Sequence, residues 1–146
     1  MDAHDLIGAW RLVEFRMRNR HGDVDDMHGR IVRGLLIYSA DGHMSATMCV
    51  NAQALHFHSD EPSTGTDAEK IAAFDAYTAY CGRFAVNDDT VLHDVEMSLY
   101  PNWIGTRQLR MARLSGDELV LTTSEMKVGE SEWILEAKWR RASDCA

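Results

Sequence analysis

The sequence predicts a mainly β protein: a single closed antiparallel β-barrel of about eight strands over residues 1–146, with one helix near the barrel mouth. Three observations lead there. About seven to nine segments alternate apolar and polar residues with the period of a strand. The connections between them are mostly short turns. Only one segment carries helical spacing. A run of hairpins this long leaves exposed edges unless the sheet closes on itself, and closure removes them. The 146 residues, 45% of them hydrophobic, suit one globular domain better than two.

The elements follow in chain order. Residues 7–19 are rich in apolar side chains, but the alternation changes phase. Trp10 and Leu12 share one parity; Val13, Phe15 and Met17 share the other. A bulge in the strand would do this. His21-Gly22-Asp23 supplies a turn, and residues 24–29 read as loop. Residues 30–40 form the next strand, centred on Leu35, Leu36, Ile37 and Tyr38. Asp41-Gly42 is a strong hairpin signal. In the return strand, 43–50, Met44, Ala46, Met48 and Val50 share a face.

Residues 51–65 are polar and irregular, a length typical of lids. Thr66 and Glu69 form a capping box. Ile71, Phe74, Tyr77, Thr78 and Cys81 follow at helical spacing, and Gly82 reads as the C-terminal stop. Strands are then expected at 83–87, 90–100, 103–114, 118–126 and 131–141. Within 90–100 the odd positions, Val91, His93, Val95, Met97 and Leu99, are apolar except for the histidine. In the last strand Trp133, Leu135, Ala137 and Trp139 face one way.

The formal net charge of −8 disfavours nucleic acid and anionic lipid as partners. The N-terminus lacks the basic and apolar regions of a signal peptide, and no stretch reaches membrane-spanning length. Cys49, Cys81 and Cys145 lack disulfide or zinc spacing, so they read as reduced thiols in a cytoplasmic protein. There is no glycine-rich phosphate loop and no Gly-x-Ser-x-Gly elbow, and no cofactor is expected. His56 and His58 with Asp60 lack a firm third ligand and read as solvated loop rather than a metal site.

Four blocks of sequence resemble one family. They are Leu6 to Val13 with its Gly8-Ala9-Trp10 core, Gly34 to Ala46, Ala73 to Gly82, and His93 to Gly105. Together, in this order, they resemble the bacterial and fungal lipocalin-like domain proteins, relatives of the lipocalins. The resemblance implies a calycin-type barrel whose Trp10 closes the floor with an arginine of the last strand packed across its ring. Arg141 has the parity for that role, and Arg140 is the alternative. Some barrel relatives isomerise or cyclise small molecules without a cofactor.

His93 is the first candidate for chemistry: a mid-strand histidine on an apolar face is desolvated and neutral. It would serve as a general base, orient a ligand carbonyl, or be an ordinary core histidine. Tyr80 is its candidate partner in acid–base work. Tyr38, Met44, Met48, Tyr77, Val95, Met97, Trp103 and Arg110 are the candidate ligand-binding residues. An arginine inside a barrel pins a carboxylate through two hydrogen bonds. The orientation of strand 90–100 stays open: if its polar face is interior, Glu96 and Ser98 replace His93.

Three functions fit. The leading one is a barrel that binds or carries a small, largely apolar molecule. The second is a cofactor-independent isomerase or cyclase with His93 and a tyrosine moving the proton. The third is a solid-core interaction module. A homodimer is compatible with all three, and a cavity of a few hundred Å3 would exclude the third.

Overall fold

The structure is a computed structural model that describes residues 1–27 and 29–143; Cys145 lies outside the described residues. Ten strands and two α-helices run in the order α1 (Ala3–Leu6), β1 (Gly8–Asn19), β2 (Val24–Asp25), β3 (Val32–Tyr38), β4 (His43–Val50), α2 (Asp67–Ala76), β5 (Tyr77–Asn87), β6 (Thr90–Ser98), β7 (Arg107–Ser115), β8 (Glu118–Thr122), β9 (Met126–Val128) and β10 (Ser131–Arg141). Each strand of the barrel pairs antiparallel with its neighbour, and β1 pairs with β10 to close an eight-stranded barrel. The short strands β2 and β9 extend the partners β1 and β10 beyond the closed ring. Among the described residues no helix is long and apolar enough to cross a membrane.

The phase change in β1 is a register shift between Leu12 and Glu14 in its pairing with β10. Val13 takes the extra position and points outward, 48% exposed. Trp10 and Leu12 before it, and Phe15 and Met17 after it, all turn toward the interior. The bulge lets one strand serve both the floor and the upper wall.

Trp10 is fully buried and its indole N–H donates to the Leu6 carbonyl at 2.8 Å. The Arg141 guanidinium lies 4.2 Å from the Trp10 ring centroid and donates to the carbonyls of Ile7 and Asp5, both at 2.9 Å. A cation over an indole contributes about 0.5–2 kcal/mol. Gly8 sits at φ +127°, and a side chain there would press on the same guanidinium. Gly8, Trp10 and Arg141 thus join the N-terminal segment to the last strand and plug one end. Helix α1 was not anticipated. Its four residues are too few for periodicity, and its signal is the Asp2–Asp5 capping box.

The helix near the mouth is shorter than its spacing suggests. The Thr66–Glu69 capping box starts α2, but α2 ends at Ala76 and not at Cys81. Tyr77 to Cys81 are instead strand, paired with β4 from Cys49 opposite Tyr77 to His43 opposite Arg83. These residues fit a helical stripe, yet aromatic and β-branched side chains also favour a pleated sheet, and β4 offers an unpaired edge that decides the matter. Gly82 is therefore no helix stop. It lies where β5 and β6 approach so closely that a Cβ would sit 1.9 Å from the Asp94 carbonyl oxygen.

Next to Gly82 the β5–β6 register slips: Cys81 pairs with Met97 but Gly82 pairs with Val95. Glu96 is the extra residue of this bulge. It settles the open question about strand 90–100 by dividing it. Val91, His93 and Val95 face inward, 0%, 1% and 3% exposed. Beyond the bulge the parity reverses: Met97 is 62% exposed, while Ser98 turns in. Smaller differences occur at Pro101–Trp103, a 3-10 turn rather than strand, and at Thr123–Glu125, which separates β8 from β9.

Candidate functional site

The floor half of the barrel is filled. Leu6, Leu36, Tyr38, Met44, Phe84 and Leu119 pack there with Trp10. Toward the other end, where β4 finishes and β5 begins, a cavity of about 120 Å3 opens among apolar walls. Met48, Phe15, Leu121, Met126, Leu135 and Trp139 supply most of the lining, and the exposed Thr78 marks the mouth. This is less than the few hundred Å3 of a drug-sized site. It is near the size of an apolar cavity of about 150 Å3 that accepts benzene. The barrel is thus neither solid nor wide, and has room for a group of about one ring.

Polar side chains lie on one wall. His93 is 1% exposed and sits between two phenols. Its Nε2 is 2.8 Å from the Tyr38 hydroxyl, and its Nδ1 is 2.9 Å from the Tyr80 hydroxyl. Burial, aided by the nearby Arg110 charge, pushes the His93 pKa down to about 3, so the ring is neutral. Burial raises both phenols, with the Arg110 guanidinium opposing it at each. Two neutral phenols therefore flank a neutral imidazole.

A neutral imidazole has one N–H and one lone pair, so one tyrosine donates to it and the other accepts. Tyr38 is 1% exposed and hydrogen bonds only to His93 among the described residues. If Tyr38 were the acceptor, its own hydroxyl hydrogen would be stranded in the core, at a cost of about 1–3 kcal/mol. The arrangement without that cost has Tyr38 donating to Nε2 and Nδ1–H donating to Tyr80. The Tyr80 hydroxyl hydrogen is then directed to the cavity that Tyr80 lines. With both nitrogens engaged and its pKa depressed, His93 is a poor proton acceptor at neutral pH. Its geometry suits it to orienting Tyr80.

Arg110 faces inward on β7 opposite Val91 and lines the cavity. It donates to the Leu109 carbonyl, and no carboxylate pairs with it among the described residues. Trp103 comes from the 3-10 turn and packs edge-on against Tyr80, ring centroids 5.7 Å apart, covering the mouth side of the wall. Trp139 is 2% exposed, and its indole N–H is buried without a partner among the described residues. The six-membered edge of this indole faces Gly34.

The sequence-derived candidates divide as follows. Met48, Tyr80, His93, Trp103 and Arg110 meet at the cavity. Tyr38 stands behind His93, and Met44 and Val95 are buried without lining the cavity. Tyr77 and Met97 are on the outside, 44% and 62% exposed. Tyr77 left the interior because it opens a strand and not a helical stripe; Met97 left it because of the Glu96 bulge. Trp139, Thr78, Leu121, Thr123 and Met126 were not anticipated as lining. The alternation of the last strand, which sets Leu135, Ala137 and Trp139 on one face, was the available signal. His56 and His58 stay in the loop before α2, and no metal-ligating cluster occurs among the described residues.

A closed eight-stranded antiparallel barrel, plugged at one end by a tryptophan–arginine pair and hollow toward the other, defines a lipocalin-type protein. The chain belongs to the lipocalin-like domain family, whose model matches residues 7–142. A curated relative is the 4'-hydroxy-3'-methoxypropiophenone carrier protein ppsC of Aspergillus oryzae, 48% identical over 68 residues. The match covers 41% of this chain and 61% of the relative, so the chain spans under two thirds of that protein's length. Similar solved structures include a redesigned β-barrel, 13% identical with a TM-score of 0.46 over 97% of this chain and 96% of that one. Another is a mutant of the fluorescent protein UnaG, 11% identical with a TM-score of 0.41 over 95% and 97%.

Proposed function

We propose that this protein binds and carries a small, largely apolar molecule, with one ring seated in the barrel. The observation that carries the reading is the cavity of about 120 Å3, apolar on most sides and polar on one. Such a site orients a ligand through few polar groups while apolar burial supplies most of the affinity. The carrier named among its relatives supports the same class, and an aryl ketone of that kind is a suitable first ligand. The isomerase or cyclase alternative needs a base, and His93, neutral and held at both nitrogens, is poorly placed to be one.

The test is titration of the purified protein with 4'-hydroxy-3'-methoxypropiophenone and, separately, with an apolar probe such as nitrobenzene, read by quenching of tryptophan fluorescence. Trp103 and Trp139 line the cavity and report on its filling. Saturable one-to-one quenching by either compound, with the compound recovered unchanged, is the expected result. Absence of saturable quenching by both would remove the carrier reading, and recovery of an altered compound would put the enzyme reading first.

A further inference from the structure

We infer that the polar wall of the cavity is an oxyanion socket, built to take an acidic phenol or carboxylic acid in its ionised form. This rests on the cavity-binding reading above. Arg110, Trp139 and Tyr80 each carry a donor, whereas the Thr78 and Thr123 hydroxyls, which also line the cavity, donate or accept. Arg110 donates to the Leu109 carbonyl and interacts with the Tyr80 hydroxyl, and its positive charge has no carboxylate partner among the described residues. Trp139 holds a buried indole N–H with no partner among the described residues, and an indole can only donate.

Tyr80 is the third donor. Its oxygen accepts from His93, and Tyr38 fixes His93 in the tautomer that does so. No acceptor for the Tyr80 hydrogen lies within hydrogen-bond distance among the described residues. Ser98, directly across the strand pair, is not one: its hydroxyl is buried and has no partner among the described residues. The remaining titratable groups close by are His93, which is neutral, and Asp94, which points out of the barrel into a bidentate pair with Arg107 at 2.6 and 3.0 Å. Among the described residues the cavity lining contains no aspartate or glutamate.

A ligand hydroxyl that keeps its proton would leave the Arg110 charge uncompensated in the cavity. A ligand oxygen that has lost its proton accepts from Arg110 and from Tyr80 and neutralises Arg110. Hydrogen bonds to a charged acceptor in a dry site are the stronger kind. Binding therefore transfers the ligand's acidic proton to solvent, and the bound species is the anion. Tyr38 and His93 act as positioning residues: they set the direction of the Tyr80 hydroxyl and touch no ligand.

The experiment uses 4-nitrophenol, whose anion absorbs visible light and whose neutral form does not, with nitrobenzene as the non-ionising analogue. The full chain is titrated with each about one pH unit below the phenol's own pKa. The expected result is growth of the phenolate band on binding, proton release to an unbuffered solution, and apparent affinity about tenfold or more above nitrobenzene; with about a tenth of the free phenol ionised at that pH, this is equivalent to a lowering of the ligand pKa by about two units. In Arg110→Gln the phenolate band and the preference should vanish while nitrobenzene still binds; Tyr80→Phe should reduce the preference in part. Equal affinities with no phenolate band would overturn the socket and leave the cavity reading intact. A preference that survives in Arg110→Gln would equally overturn it. If neither probe binds the native protein, the cavity reading falls and the socket with it.

Discussion

The two ends of the barrel contain the same residue types in opposite states. At the floor, the Trp10 indole N–H is satisfied by a carbonyl and its ring is covered by a guanidinium that itself holds two carbonyls. Toward the mouth, the Trp139 indole N–H has no partner and Arg110 has no carboxylate among the described residues. Both tryptophans are almost fully buried, so exposure does not distinguish them. What differs is completeness. A floor with every donor answered and no space left is a stability device. A wall with unanswered donors beside an empty volume is stable only as a compromise, and such compromises mark sites.

The largest effect should come from breaking the floor. Trp10→Ala removes a fully buried indole and leaves Arg141 without its ring, and should cost about 3–5 kcal/mol in a urea titration. Trp103→Ala, at the mouth, should cost far less stability and mainly weaken ligand uptake. Equal losses would erase the distinction between the two ends.

The wall should make itself felt through pH. The His93 pKa in the folded protein, about 3, lies below its unfolded value near 6.5. Between those values the unfolded chain holds a proton that the folded chain refuses. Stability is therefore full above about pH 6.5 and falls as pH drops toward 3, by up to about 1.4 kcal/mol per pH unit. Denaturant midpoints measured from pH 7 to pH 5 should show this slope, and His93→Gln should flatten it. This window lies above the range of ordinary carboxylates, so the slope reports mainly on histidine.

The two phenols should then separate. Tyr38→Phe leaves the His93 lone pair unanswered in the core and should cost about 1–3 kcal/mol. Tyr80→Phe keeps the ring in place, should cost less, and should show its main effect in ligand affinity. The smallest effect is expected at Met97. If the Glu96 bulge directs it outward, Met97→Ser changes stability by no more than about 0.5 kcal/mol and leaves binding unchanged.

The floor was more legible in the sequence than the wall, for physical reasons. Gly8, Trp10 and Arg141 are a motif read at three positions, and the Asp41-Gly42 hairpin and the alternation of the last strand depend on neighbours in the chain. The end of α2 was not legible, because Tyr77 to Cys81 satisfy a helical stripe and a strand alike until β4 is there to pair with them. Met97 and Ser98 exchanged faces because a bulge is created by the register of two strands, not by one. His93, Tyr80, Met48, Trp103 and Arg110 could be picked out by residue type and parity. The partnerless state of Trp139 could not, since it depends on everything that packs around that ring.

The most direct test of the difference between the two ends is the set of indole N–H resonances in a proton–nitrogen correlation spectrum, one for each of the four tryptophans. Titration with 4-nitrophenol should shift the Trp139 resonance strongly and Trp103 clearly, while Trp10 stays where it is. A Trp10 shift as large as that of Trp139, or a Trp139 resonance that does not move while the ligand binds, would contradict the account.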